Sequence, residues 1–283
     1  MYRLKFYWIV LFFIILANGL LAVTGDLRVH QSDGTLVRIP LDDITTVLFP
    51  DESTIEIYHV NAGVVSPYVA AFSDLDSVTF EKIEGHVIDI DGNNYKTVKI
   101  NNSWWMAKNL QTTCYNDGSS IPNVTGHSAW LGLTTGAYCI YNDDNSNTDK
   151  YGFLYNWYAV NTGKLAPAGW HVPSQAEGDA LKTYLGTNPG HKLKSIETAD
   201  ENNWRDHYST SGGGSDIFGF RGLPAGDHHS TGYTYLRENA YFWTSDQQSE
   251  NTGKCWKLNY NNTNLDPTNL GKNYGMSVRC VRD

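Results

Sequence analysis

Past residue 84 the chain carries only one helix with both a start and a stop signal. Pro173-Ser174-Gln175-Ala176-Glu177 is a capping box. The Ser174 hydroxyl accepts from the Glu177 amide, and the Glu177 carboxylate reaches back to Ser174. Ala180, Leu181, Tyr184 and Leu185 give this helix one apolar face, and Gly186 ends it. A second helix is predicted over Gly152 to Val160, where Phe153, Trp157 and Val160 share a face. Strand signals are short: His86 to Ile90, Tyr95 to Ile100, Ala137 to Tyr141, Cys255 to Leu258 and Ser277 to Val281. Asp91-Gly92 turns a hairpin between the first two. Two helices, many short strands and long polar loops specify an α+β domain over residues 84–283.

Residues 23–83 read differently. Leu27 to His30 alternates, Asp33-Gly34 turns, Leu36 to Ile39 returns, and Asp43 to Phe49 follows. The pattern recurs as Ile55 to Tyr58, a turn near Asn61-Ala62-Gly63, Val64-Val65, and Asp74 to Phe80. Each copy is too short to bury a core alone, so two copies are expected to pack as one small all-β module. Ahead of it, Arg3 and Lys5 precede an apolar run from Phe6 to Ala17, and Leu20-Leu21-Ala22 offers a cleavage site. This is the order of a secretory signal peptide over residues 1–22. An uncleaved anchor is the alternative, because residues 6–23 approach the roughly 20 apolar residues of a membrane span. The expected location is outside the cytoplasm: cell surface, periplasm or medium.

The net charge of −9 gives the chain no general attraction for nucleic acid. An 18% charged, 13% aromatic composition is that of a folded protein. For an exported chain, four cysteines suggest disulfides. Cys114, Cys139, Cys255 and Cys280 allow three connectivities. Spacing favours Cys114–Cys139 with Cys255–Cys280, each closing a loop of about 25 residues and contributing roughly 3 kcal/mol. A crossed arrangement through Cys139 and Cys280 remains open.

Several separated motifs carry a family resemblance. They are "DIDGNNYKTVKINNSWWMAKNL" (89–110), "YNDG" (115–118), "YGFLYNWYAV" (151–160), "APAGWHVPSQAE" (166–177) and "SVRCVRD" (277–283). In this order they resemble the Fibrobacter succinogenes major paralogous domain of secreted and surface proteins. The resemblance implies a C-type-lectin-like fold, distantly related to the formylglycine-generating-enzyme fold, and implies no particular activity. The N-terminal repeat loosely resembles short modules of exported Bacteroidetes proteins. Two departures stand out: family members usually carry Trp where this chain has Gly178, and some carry Cys where it has Ala166.

For chemistry the chain offers little. The sugar-binding tripeptides of calcium-dependent lectins are missing. Asp143, Asn145, Asn147 and Asp149 alternate like the first ligands of a calcium loop, but Thr148 and Leu154 stand where the loop needs Gly and Glu. A solvated turn is the plainer reading, and calcium is the only cofactor suggested. His228-His229 would point to opposite sides of a strand, and a surface loop is expected there. There is no Gly-x-Ser-x-Gly, no phosphate loop and no close cysteine pair for a formylglycine-type metal-dependent oxidoreductase, so no enzyme is expected.

The aromatics of the irregular C-terminal part remain. Tyr233, Tyr235, Trp243, Trp256, Tyr260, Asn262 and Tyr274 are the candidate ligand-binding residues, since exposed Trp and Tyr stack on sugars and anchor interfaces. The expected function is a non-catalytic binding or adhesion protein recognising a glycan or a surface protein through loops 223–246 and 251–274. A structural envelope component is the alternative. No nucleic-acid partner is expected, and membrane contact only through the N-terminal segment.

Overall fold

The computed structural model describes residues 26–33, 36–40, 44–51, 54–61, 64–71, 75–81, 84–196, 204–205 and 213–283. The predicted signal segment lies outside the described residues. No helix among them is long and apolar enough to cross a membrane. The chain divides into two compact units between Ile83 and Glu84.

Among the described residues the first unit holds six strands: β1 (Asp26–Gln31), β2 (Leu36–Pro40), β3 (Ile44–Asp51), β4 (Thr54–Asn61), β5 (Val64–Ala71) and β6 (Leu75–Glu81). They form two antiparallel sheets, β2-β1-β6 and β3-β4-β5. The last strand of each repeat therefore completes the hairpin of the other copy. Val29 pairs with Val37 and Val78 in the first sheet, and Ile57 pairs with Val47 and Tyr68 in the second. A lone two-stranded hairpin is marginal in water, and a third strand stabilises it. This exchange makes the two copies one module.

The second unit is α+β. Its strands are β7 (Glu84–Ile88), β8 (Asn94–Ile100), β9 (Ser103–Met106), β10 (Tyr138–Cys139), β11 (Leu154–Tyr155), β12 (Trp170–His171), β13 (Ala225–His229), β14 (Gly232–Leu236), β15 (Asn239–Gln247), β16 (Thr252–Asn259), β17 (Asp266–Gly271) and β18 (Val281–Arg282). Its helices are α1 (His127–Leu131), α2 (Thr148–Tyr151), α3 (Trp157–Val160), α4 (Gln175–Leu185) and α5 (Pro189–Leu193). Two five-stranded sheets organise it, β12-β18-β9-β8-β7 and β14-β13-β15-β16-β17, with β10-β11 as a short pair. Both predicted hairpin strands around Asp91-Gly92 form, as β7 and β8. The capping box forms as read, with Ser174 and Glu177 satisfying each other at the start of α4.

The helix expected over Gly152 to Val160 shrinks to its last turn, α3. Gly152 sits at φ +71° with backbone of Asn109 and Leu110 pressed against it, which no helix start tolerates. Leu154 and Tyr155 pair with Cys139 and Tyr138 instead. Asn156 then caps α3 through Ala159 N at 3.0 Å. The helical period of Phe153, Trp157 and Val160 reflects burial on several sides, not one helix face.

Short strands leave many backbone carbonyls without ladder partners, and buried cations take several of them. Arg279, 1% exposed, donates to the carbonyls of Met106, Phe220 and Arg221 and to Asn109 Oδ1. Its guanidinium also lies 4.6 Å from the Phe220 ring centre. Lys194 Nζ donates to the carbonyls of Asn259 and Asn262 and lies over Trp204. Lys272 Nζ lies 4.5 Å from the Trp157 ring centre and donates to Gln247.

The cysteines require a correction. All four are free thiols: Cys114 half-buried, Cys139, Cys255 and Cys280 buried. They are spent in different environments. Cys139 faces His228, Cys255 sits across from Trp243 and Thr268, and Cys280 lies within the electrostatic reach of Asp89 and Tyr95. A domain this size buries enough apolar surface to fold without cross-links.

Candidate functional site

The signature motifs meet one another in the interior. Asn109 donates to the Tyr151 carbonyl at 2.7 Å and to Ser277 Oγ at 3.0 Å, while accepting from Arg279. Asn156 accepts from Ala137 N and Ala159 N and donates to the Thr135 carbonyl. His171 bridges Glu177 at 2.8 Å and Asp283 at 2.6 Å, joining the helix cap to the end of the chain. These polar side chains are engaged in holding segments together. The groups left to do something else lie on the β13–β14 hairpin.

β13 carries Asp227, His228 and His229, and its alternation sends them to two faces. The predicted surface loop is thus a strand, and His228 is fully buried. β13 meets β15 at the Gly226–Ala240 pair, after which the segment around Gly275 and Ser277 bridges to His228 and Phe242.

On the His228 face the hydrogen bonds run in one direction. The Ser230 carbonyl can only accept, so His127 Nε2, 3.1 Å away, carries a proton. In the neutral tautomer His127 Nδ1 is then an acceptor, and His228 Nε2 donates to it at 3.2 Å. His228 Nδ1 is left to accept from Cys139 Sγ at 3.5 Å. The His228 ring is stacked between Trp130 and Tyr233, with centres at 5.1 and 4.0 Å. Burial, with His127 alongside, holds His228 down to about 4, so it is neutral. Burial pushes the Cys139 thiol far above its ordinary value, which leaves it a poor nucleophile.

The opposite face carries Asp227 and His229. Asp227 is 2% exposed and accepts from Thr234 Oγ1 at 2.6 Å. Burial raises it to about 6, against the pull of the Thr234 hydrogen bond and of His229 and Lys257. Tyr235 has φ +58°, which turns its ring out of alternation and towards His229. His229 lies between Tyr235 and Tyr274, with ring centres at 6.1 and 5.6 Å.

Three of the seven aromatic and amide candidates are therefore brought to this hairpin. Tyr235 and Tyr274 flank His229. Tyr233 sits behind them on His228, its hydroxyl donating to Asp143 at 2.7 Å. Trp243 and Trp256 are core residues instead, 0% and 4% exposed. Trp243 Nε1 donates to the Tyr155 carbonyl, and Trp256 packs on Gly178. Tyr260 and Asn262 lie apart, near Arg205 and Lys194 respectively.

The calcium candidates are two 3₁₀ turns, Tyr141–Asp143 and Asn145–Asn147, running into α2. Asp143 spends its oxygens on Tyr233 and on the Gly126 amide, and Asn147 donates to the Tyr141 carbonyl. Asn145 and Asp149 point to solvent. Among the described residues no three His, Cys, Asp or Glu side chains form a metal cage.

Asp227, His229, Lys257 and Tyr241 escaped the candidate set. The Asp-His-His run was visible, but its strand geometry was not. Tyr274 reaches it from 45 positions along the chain, by a path only the fold supplies.

Residues 98–282 match the family described as the Fibrobacter succinogenes major domain. No curated protein and no solved structure matches the chain.

Proposed function

From the premise that the chain belongs to the Fibrobacter succinogenes major domain family, we propose that it is an exported, non-catalytic binding module recognising a glycan or a surface protein. The fold is read as C-type-lectin-like, with the β13–β14 hairpin and the loop after β17 as the ligand surface. The observation that carries the reading is the convergence of Tyr235, His229 and Tyr274 on one face. Tyr235 is 45% exposed, although large rings are normally covered. Rings gathered at a surface offer stacking area at small entropic cost.

Two further features support binding over catalysis. The buried thiols are held protonated, and the Cys139–His228 pair is sealed beneath Trp130 and Tyr233. The signature polar residues are occupied with one another.

The test is a glycan array probed with the full chain, with and without EDTA, alongside a pull-down against surface proteins. The reading expects a specific ligand whose binding survives EDTA and is lost in Tyr235→Ala. Binding abolished by EDTA would return weight to Asp143, Asn145, Asn147 and Asp149. Absence of any specific ligand in both assays would overturn it.

A further inference from the structure

One line of residues crosses the whole second sheet. Asp227 pairs with Thr234 across β13–β14. Next to the single parallel pair Gly226–Ala240, Asp227 lies within electrostatic reach of Tyr241 on β15. Tyr241 pairs with Lys257 on β16, and Lys257 with Asp266 on β17. Residues directly across a sheet share a face, so these polar groups form one ladder. Lys257 Nζ stands 5.6 Å from the Tyr241 ring centre.

The hydrogen bonds within the ladder are incomplete in an informative way. Asp227 Oδ1 accepts from Thr234, and no donor among the described residues reaches its Oδ2. The Tyr241 hydroxyl accepts from Asn239 Nδ2 at 3.0 Å, which leaves its own proton to donate. Asn239, 3% exposed, has a buried Oδ1 with no partner. Buried polar atoms are normally satisfied, and exceptions often mark a missing ligand or water. An acceptor at Asp227 and a donor at Tyr241, 2% and 6% exposed, therefore lie next to each other under Lys257, with Tyr235 within electrostatic reach of Tyr241 and Tyr274 across His229 from Tyr235.

We infer that this ladder is a saccharide subsite for a neutral sugar. Vicinal hydroxyls, each both donor and acceptor, would bridge Asp227, Tyr241 and Lys257, while the C–H face of the ring packs on Tyr235 or Tyr274. The inference rests on the proposed binding function and narrows it to a glycan. Two facts favour a neutral sugar over an anionic one. The chain is acidic overall, and the acceptor offered by the ladder is the carboxyl of Asp227. Stacking supplies affinity without charge, and hydrogen bonds to buried polar groups supply selectivity.

The experiment is an array of neutral and acidic oligosaccharides probed with the full chain as wild type, Asp227→Asn, Tyr235→Ala and Tyr260→Ala. Near-UV circular dichroism verifies the fold of each. Wild type should bind neutral oligosaccharides. Asp227→Asn and Tyr235→Ala should each weaken those spots by at least about tenfold, the scale of one good hydrogen bond or stacked ring. Tyr260→Ala should keep them, because Tyr260 lies with Arg205 outside the ladder. Exposed Tyr235 guards against misfolding in the Asp227 variant. If both variants fold and keep wild-type binding, the subsite is overturned while glycan recognition stands elsewhere. Binding confined to acidic oligosaccharides overturns the neutral-sugar assignment. A wild type that binds no array member overturns this inference, while a protein ligand in the pull-down would still support the broader reading.

Discussion

Gly178 on α4 and Trp256 on β16 occupy one space. A Cβ at position 178 would stand 1.9 Å from Trp256 Nε1 and 2.4 Å from its Cε2. The space beside Gly178 is filled by an indole arriving from the sheet. Gly178→Ala should therefore destabilise the protein by about 1–3 kcal/mol by overpacking, despite Ala being the better helix former. Urea unfolding would measure it. In a Trp256→Ala background the same change should be close to neutral or stabilising, and a full penalty there would show that the indole is not what Gly178 accommodates.

Arg279 should tolerate no replacement. Arg279→Met strands the carbonyls of Met106, Phe220 and Arg221 in the interior, a loss of about 3–5 kcal/mol. Arg279→Lys should rescue little, because one ammonium cannot span contacts made from Nε and both Nη atoms. Burial lowers Arg279 to about 9, so it remains charged at neutral pH. Equal chemical denaturation midpoints for Arg279→Lys and wild type would contradict the clamp.

Asp227 and His228 are neighbours on β13 with opposite effects on pH-dependent stability. Asp227 is raised from 3.8 to about 6, so between those values the folded state binds the extra proton and stability falls as pH rises. His228 is lowered from 6.5 to about 4, so there the unfolded state binds the extra proton and stability rises with pH. The two slopes offset each other between about pH 4 and 6. Asp227→Asn should unmask the His228 slope, making melting temperature drop more steeply on acidification than in wild type. Parallel melting curves for both proteins from pH 4 to 6 would refute the offset.

His171 joins Glu177 and Asp283; burial is the largest single influence and pulls it down, but the hydrogen bonds and charges of the two carboxylates together outweigh burial and leave it raised. A raised His contributes fully below its unfolded value of 6.5 and loses that contribution as pH rises through its folded value. Glu177 is lowered, chiefly by hydrogen bonds from Ser174 working against burial, so its share is present above 4.5 and lost on further acidification. His171→Gln should thus depress melting temperature most near pH 5.5 and least near pH 9. All three side chains are more than a third exposed, so solvent screening keeps the effect small.

The thiols give the simplest test. In native protein a thiol reagent should modify Cys114 alone, with Cys139, Cys255 and Cys280 reacting only on unfolding. Burial pushes all three of these thiols up, which slows them further. A mass increase on reduction of the purified protein would instead demonstrate disulfides.

Local signals were legible because their physics is local. The Ser174–Glu177 capping box, the Asp91-Gly92 hairpin and the α+β composition all follow from neighbours a few residues apart. The repeat in residues 23–83 was visible too, since alternation needs only one strand to show itself. Yet the partner of each third strand was not, because β6 joins β1 from the other end of the module. The same limit governed the candidate site. Trp243 and Trp256 looked like Tyr235 and Tyr274 in sequence, and only packing separates a core indole from a surface ring. The Asp227–Tyr241–Lys257 line depends on strand register, which is set by long-range pairing. By itself the sequence determined the elements whose stabilising contacts lie within a turn or a strand. The tertiary structure alone decided which side chains meet, because those meetings join segments tens of residues apart.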